Sequence, residues 1–267
     1  MDNCNTVRDA AIPPFKCALN SIPQADTERL AIAASSTLRL FYRSSEAGDW
    51  ESKTAAQARQ NIMSLDWLST TTIAIGERNG TISTYDTRSG RLEKRLTHPY
   101  PIVKLKRADD ESRIICAGMQ DTLFLYDLRA SKTEKKFSRD EPGHYNDRFF
   151  NSQYPGPQNY KKRKTMKNTT AGDWSQPVLS FPYTNADDGY LDIAVEPELG
   201  LIAAAQDFHS RVALKVYNMW TGKTLLEIPK NNPGEATIRC LKFMQDVNGV
   251  PELWSTWDGE IVKISST

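Results

Sequence analysis

The sequence predicts an all-β fold assembled from repeated four-stranded antiparallel sheets, and three observations predict it. GTISTYDTRSG (80–90) and DTLFLYDLRAS (121–131) repeat a Tyr-Asp-x-Arg box at an interval of 41 residues, each behind an alternating apolar stretch. The same turn-then-strand pattern recurs as SSTLRLFY (35–42), NGTISTYD (79–86), QDTLFLYD (120–127), SRVALKVYN (210–218) and DGEIVKIS (258–265). Equivalent positions Phe41, Tyr85, Tyr126, Tyr217 and Ile264 lie 44, 41, 91 and 47 residues apart, so a single period runs through the chain with one long gap.

Each element follows from its place in the period. Before every one of these strands lies a second apolar run: RLAIAA (29–34), TIAIG (72–76), RIICAG (113–118), GLIAAA (200–205) and ELWST (252–256). The joins are short turns, and Asn79-Gly80 and Asp258-Gly259 supply hairpin chemistry because these residues accept positive φ cheaply. First strands are expected around Cys17 to Leu19, Ile62 to Trp67, Ile102 to Leu105, Leu191 to Val195 and Ile238 to Phe243. RLEKRL (91–96), TEKKF (133–137) and TLLEI (224–228) are the expected fourth strands. Four short strands per period are the pattern of propeller blades, because one such sheet cannot bury both of its faces until neighbours stack on it. The units run over about 15–58, 61–97, 101–137, 189–229 and 236–264, in one domain.

The pattern resembles the WD40-repeat family, whose mark is a Trp-Asp dipeptide closing the third strand. That place is held here by Tyr85-Asp86, Tyr126-Asp127 and, in weaker form, Tyr217-Asn218. Family repeats also carry a Gly-His before the first strand and an Asp between the second and third. The resemblance therefore pairs His98, in Thr97-His98, with Asp121, and it leaves Gly143-His144 before the long gap and Asp207 after it. Family propellers usually have seven blades, and about five are visible. Two completions are open: a five-unit ring closed by residues near Thr6 to Ile12, or the C-terminal part of a longer, seven-bladed propeller, which is the working expectation.

Arginine two places after the acid is not required by a plain WD40 repeat. Arg88 and Arg129 are expected in the turns between third and fourth strands, on the same face of adjacent blades. A planar fork of five donors there suits bidentate pairing to a partner's carboxylates. A bond from each arginine to its own turn or to the next blade would be the structural alternative. The paired boxes resemble those of the WD40 substrate receptors of cullin-4 ubiquitin ligases, the cullin-4-associated factors. The order YDTR, HPYPIVKLK, IICAGMQDTLFLYDLR, GLIAAAQDFHSRVALKVYN, TLLEIP is similar to the C-terminal blades of that family, over about residues 70–264. The resemblance implies docking of the ligase's damaged-DNA-binding adaptor through Asp86, Arg88, Asp127 and Arg129. The opposite face, with the second-to-third strand turns and the insertion, would then present a substrate. Tyr in place of Trp, and Trp220 where a third box arginine would stand, depart from the family pattern.

Residues 138–176, rich in Pro, Gly, Asn and Tyr and without apolar periodicity, read as a loop insertion placed after the fourth strand of the third unit. Within it YKKRKTMK (160–167) gathers Lys161, Lys162, Arg163, Lys164 and Lys167 without an acid, the pattern of a nuclear-import signal, of a nucleic-acid patch, or of a solvated charged loop. Over the whole chain 34 Lys and Arg against 33 Asp and Glu leave a net charge of +1, which offers no global attraction to phosphate backbones or anionic lipid. Any nucleic-acid contact is expected through that loop alone.

No catalytic constellation is legible, and no cofactor is expected. The chain has no GxSxG elbow, no GxxxxGK[ST] loop, no HExxH and no glycine-rich dinucleotide turn. The carboxylate pairs Asp109-Asp110 and Asp187-Asp188 fall in turns, Trp67, Trp254 and Trp257 read as packing residues, and the four cysteines lack metal-ligand spacing. Cys116 and Cys240 sit within apolar alternation and read as small core residues. The start of the chain carries no secretory pattern, and no run of 18 apolar residues occurs, so the nucleus or cytoplasm is expected rather than a membrane. The expectation is a non-enzymatic scaffold, either a ligase receptor or a subunit of an RNA-processing or ribosome-assembly complex.

Overall fold

The computed structural model describes residues 16–19, 29–43, 50–129, 174–186, 188–230, 237–257 and 259–264. The chain divides into two compact units, residues 1–130 with 177–267, and residues 131–176. Every described strand belongs to the first unit; the described part of the second is Trp174 to Gln176, without strand.

Among the described residues the fold is all-β, in five consecutive antiparallel sheets. The first holds β1 (Lys16–Leu19), β2 (Arg29–Ala34), β3 (Thr37–Arg43) and β4 (Trp50–Gln57), and the second β5 (Ile62–Trp67), β6 (Thr72–Glu77), β7 (Thr81–Asp86) and β8 (Arg91–Thr97). The third holds β9 (Ile102–Arg107), β10 (Arg113–Gly118), β11 (Leu123–Asp127) and β12 (Leu179–Ser180). The fourth holds β13 (Ile193–Glu196), β14 (Leu201–Ala205), β15 (Val212–Asn218) and β16 (Thr224–Pro229), and the fifth β17 (Cys240–Gln245), β18 (Pro251–Trp257) and β19 (Glu260–Ile264). Within each sheet the strands pair in chain order, β12 joining its neighbour across the insertion.

One expected fourth strand is replaced. The partner of β11 is Leu179–Ser180, in register Phe124 to Ser180 and Leu125 to Leu179. TEKKF (133–137), expected in that place, lies outside the described residues. The insertion therefore divides the third sheet between its third and fourth strands, rather than separating two units as the period suggested.

Burial follows the strand's place in its sheet. In β6, β10 and β14 every residue after the first is buried, and β11 is buried over Leu123–Tyr126, because these middle strands are covered on both faces. The fourth strands β4, β8 and β16 are mostly exposed. First strands pack on first strands in sequence: β1 on β5, β5 on β9, β9 on β13 and β13 on β17. This succession is compatible with the blades of a propeller.

Polar bonds lock the same succession. Trp67 Nε1 donates to the Ala18 carbonyl at 3.0 Å, Leu105 N to Ser64 Oγ at 2.9 Å and Arg107 N to Asp66 Oδ2 at 2.8 Å. Leu241 N donates to Asp192 Oδ2 at 2.9 Å, and Lys104 Nζ lies 2.8 Å from Asp192 Oδ1. Trp67 is thus buried and bonded between two sheets rather than merely packed.

His98, buried between β8 and the third sheet, does not bond Asp121 as the family pattern implied. Its Nε2 lies 3.0 Å from Thr122 Oγ1 and its Nδ1 3.0 Å from Tyr126 Oη. Thr122 gives its own proton to the Met119 carbonyl at 2.8 Å, so it accepts from Nε2–H, and Tyr126 Oη–H donates to the bare Nδ1. Asp121, in the left-handed region at φ 59°, turns away and accepts the Asn185 amide at 2.6 Å. The ring fits because Gly118 has no side chain: a Cβ there would stand 2.3 Å from Nε2.

Burial holds the His98 pKa down at about 3, below the ordinary 6.5. The unfolded chain therefore takes up a proton that the folded chain refuses. This contribution to stability is complete above pH 6.5 and is lost as the pH falls toward 3. Urea denaturation between pH 6 and 4.5 should show stability falling by up to about 1.4 kcal/mol per pH unit from this group. The carboxyls of buried Glu77 and half-buried Asp121, raised chiefly by desolvation, pull the other way in the lower part of that window. The comparison with His98→Asn isolates the histidine: the variant should be less stable at pH 7 and should lose that component of the slope.

Candidate functional site

The turns that follow the third strands are built by one local device. At the end of β7, Asp86 Oδ1 accepts the backbone N–H of Arg88 at 2.8 Å and of Ser89 at 3.2 Å. At the end of β11, Asp127 Oδ1 accepts the N–H of Arg129 at 2.8 Å. At the end of β15, Asn218 Oδ1 accepts the N–H of Trp220 at 3.0 Å and of Thr221 at 2.9 Å. A side-chain oxygen that captures the amide two residues on makes an Asx turn, and the captured residue projects outward. The aromatic ring just before each cap is buried, which fixes the strand from which the turn leaves. Those amide bonds, with Arg88 nearby, hold the Asp86 carboxyl below its usual range; Asp127 is held down first by the Arg129 side chain and then by its amide.

Arg88, Arg129 and Trp220 thus occupy equivalent positions at the same end of three adjacent sheets, but they are not equally available. The Arg88 side chain is 76% exposed, with Nη2 3.7 Å from Asp86 Oδ2. Arg129 is 62% exposed, yet its fork closes on its own acid, Nε at 3.2 Å from Asp127 Oδ1 and Nη2 at 3.0 Å from Oδ2. Its remaining Nη1 lies 3.8 Å from Asp110 Oδ2. The structural alternative foreseen for these arginines, a bond to the own turn, therefore holds geometrically for both, tightly at Arg129 and loosely at Arg88.

Trp220 is the residue that sequence reasoning passed over as an absent arginine. Its ring is 46% exposed and lies across the β13–β14 turn, where a Cβ on Gly200 would meet Trp220 Nε1 at 2.2 Å. Exposed Leu199 precedes Gly200 in that turn. The clue in the sequence is Asn218, which caps the turn as Asp86 and Asp127 do.

The chain leaves the third sheet after Arg129 and returns at Val178, whose amide donates to the Leu125 carbonyl at 2.7 Å. Both connections of the insertion thus fall at the Asp-x-Arg end of the sheet. Apart from Trp174 to Gln176, the insertion itself lies outside the described residues. Lys161, Lys162, Arg163, Lys164 and Lys167 lie outside the described residues.

The remaining candidates resolve into local structure. Asp110 accepts Ser112 N and Oγ at 2.8 and 2.7 Å, while Asp109 pairs with Arg113 at 3.0 Å, so this pair shapes the β9–β10 turn. Asp187 lies outside the described residues, and Asp188 pairs with Arg239. Trp254 Nε1 donates to Glu252 at 3.2 Å, and Trp257 packs against the larger core cluster. Cys116 is fully buried, and burial pushes its thiol pKa far up. Cys240, expected in the core, is exposed: strand alternation turns Leu241 inward and its neighbour outward. Among the described residues no three His, Cys, Asp or Glu are grouped to hold a metal ion. No family model matches the chain, and no curated protein matches it.

Gly200, at φ 63°, tests the seating of Trp220. Gly200→Ala should cost about 2–4 kcal/mol in denaturant titrations, from left-handed strain plus the collision with the indole. In a Trp220→Ala background the collision component should vanish, leaving about 1–2 kcal/mol.

Proposed function

We propose that this chain is a non-enzymatic protein-interaction scaffold of the WD40 type, a substrate receptor that docks the damaged-DNA-binding adaptor of a cullin-4 ubiquitin ligase in the manner of the fourth cullin-4-associated factor. The observation that carries this reading is the pair of Asx-capped turns that place Arg88 and Arg129 at one end of neighbouring sheets. The succession of first strands, each packed on the next, supports reading the sheets as blades. In this reading Asp86 and Asp127 set the turns, and the arginines meet acidic groups on the adaptor.

The geometry ranks the contacts. Arg88 has the freer fork and suits a bidentate carboxylate, whereas Arg129 must share its donors with Asp127. The opposite end carries the β2–β3, β6–β7, β10–β11 and β14–β15 turns and is assigned to the substrate. Phe208, exposed and stacked on His209 with ring centroids 3.8 Å apart, is the apolar feature there that suits recognition.

Capture of the purified adaptor on immobilised chain, read as Kd, tests the proposal. Arg88→Ala should weaken binding by about tenfold or more, Arg129→Ala by less, and the double variant most. Undiminished binding by the double variant would overturn adaptor docking through these turns. If the adaptor is not captured while salt-sensitive RNA retention disappears on deleting 160–167, the RNA-complex scaffold takes its place.

A further inference from the structure

At the end opposite the Asp-x-Arg turns, a cavity of about 500 Å³ opens where three alternate sheets converge. Lys16 comes from the start of β1, Lys104 from the middle of β9, and Arg239 from the residue before β17. Tyr190 stands at the same opening, largely exposed. Three cations are thus gathered from segments far apart in sequence.

Two of them are neutralised. Lys104 Nζ lies 2.8 Å from Asp192 Oδ1, and Arg239 Nη1 lies 2.6 and 2.7 Å from the two oxygens of Asp188. The Arg239 guanidinium also sits over the Tyr190 ring, 5.6 Å from its centroid. Asp192 is already engaged elsewhere, because Oδ1 also accepts Ile193 N and Oδ2 accepts Leu241 N, each at 2.9 Å. Lys16 makes no salt bridge among the described residues. Its pKa is lowered by burial first and by the Lys104 charge second, with Asp192 only partly offsetting them. A partly buried ammonium held near a second one is unfavourable unless an anion comes between them.

We propose that this cavity is an oxyanion-binding site that takes one carboxylate or phosphate group, with Lys16 meeting the anion directly and Lys104 and Arg239 flanking it. Lys104 and Arg239 stay anchored to their aspartates, which fixes the cavity before the anion arrives. The Tyr190 ring offers an apolar flank to whatever carries the group. An acidic side chain of a protein and a free phosphorylated metabolite share this chemistry, so the two sources call for separate probes.

Isothermal titration calorimetry on the intact chain, with sodium tripolyphosphate and separately with a hexaglutamate peptide, tests the proposal. At least one probe should bind at one saturable site that Lys16→Gln weakens by about tenfold or more and Lys16→Arg retains within about threefold. Binding of tripolyphosphate alone marks a phosphate site, and binding of the peptide alone marks an acidic partner. Heat from the basic segment 160–167 is common to all three proteins. The probe-free thermal midpoint of Lys16→Gln should equal or exceed that of the parent, since the change removes a like-charge contact. Absence of saturable binding, equal binding by Lys16→Gln, or a lowered probe-free midpoint would overturn the assignment.

Discussion

The second strands of the three middle sheets, β6, β10 and β14, are buried on both faces, so each of these sheets must bury two surfaces, and neighbouring sheets are what cover them. Ile73 and Ile75 pack toward the first sheet, and Gly76 admits Ile102 of the next so closely that a Cβ would stand 2.8 Å from it. Burial at about 25 cal/mol per Å² of apolar surface supplies the stacking force, but it is non-directional. The polar bonds from Trp67, Ser64, Asp66 and Asp192 supply the register. Each joins a first strand, or the residue leading into one, to the next, and each would leave a buried group unsatisfied if the sheets slid.

The candidate sites inherit their geometry from this stacking. A third strand whose aromatic ring is buried one residue from its end has no freedom in where its turn begins, and the Asx cap then fixes the direction of the residue after next. That is why an arginine, an arginine and a tryptophan, so different chemically, hold one position in three sheets. The other end inherits a different consequence. First strands that pack in succession bring Lys16, Lys104 and Arg239 together, and the carboxylates there are consumed in holding the sheets, which leaves a cation over.

Much of this was legible in the sequence. Third strands announced themselves because a polar turn and alternation act together, with a terminal Tyr-Asp in two of them, and β3, β7, β11, β15 and β19 lie where the period put them. Strand β12 did not, because two residues across an insertion carry no period, while TEKKF beside β11 alternates as a strand should. The partner of His98 was misread because Gln120 and Asp121 both adopt positive φ, at 58° and 59°, which turns the acid outward and brings Thr122 to the ring. Tyr126 then supplies a hydroxyl that an indole would lack. The closing of Arg129 on Asp127 is a matter of rotamers, and the cation cavity depends on tertiary packing; neither leaves a mark on local sequence. The parity of β17, which exposes Cys240, depends on which face meets the fourth sheet.

Native-state hydrogen exchange, resolved by strand, tests most directly whether stacking through first strands holds the molecule together. Amides of the inner strands β5, β9 and β13 should exchange together through one shared opening, about a hundredfold or more slower than those of the outer strands β4, β8 and β16. Inner strands that exchange at unrelated rates, sheet by sheet, or outer strands as protected as inner ones, would contradict the account.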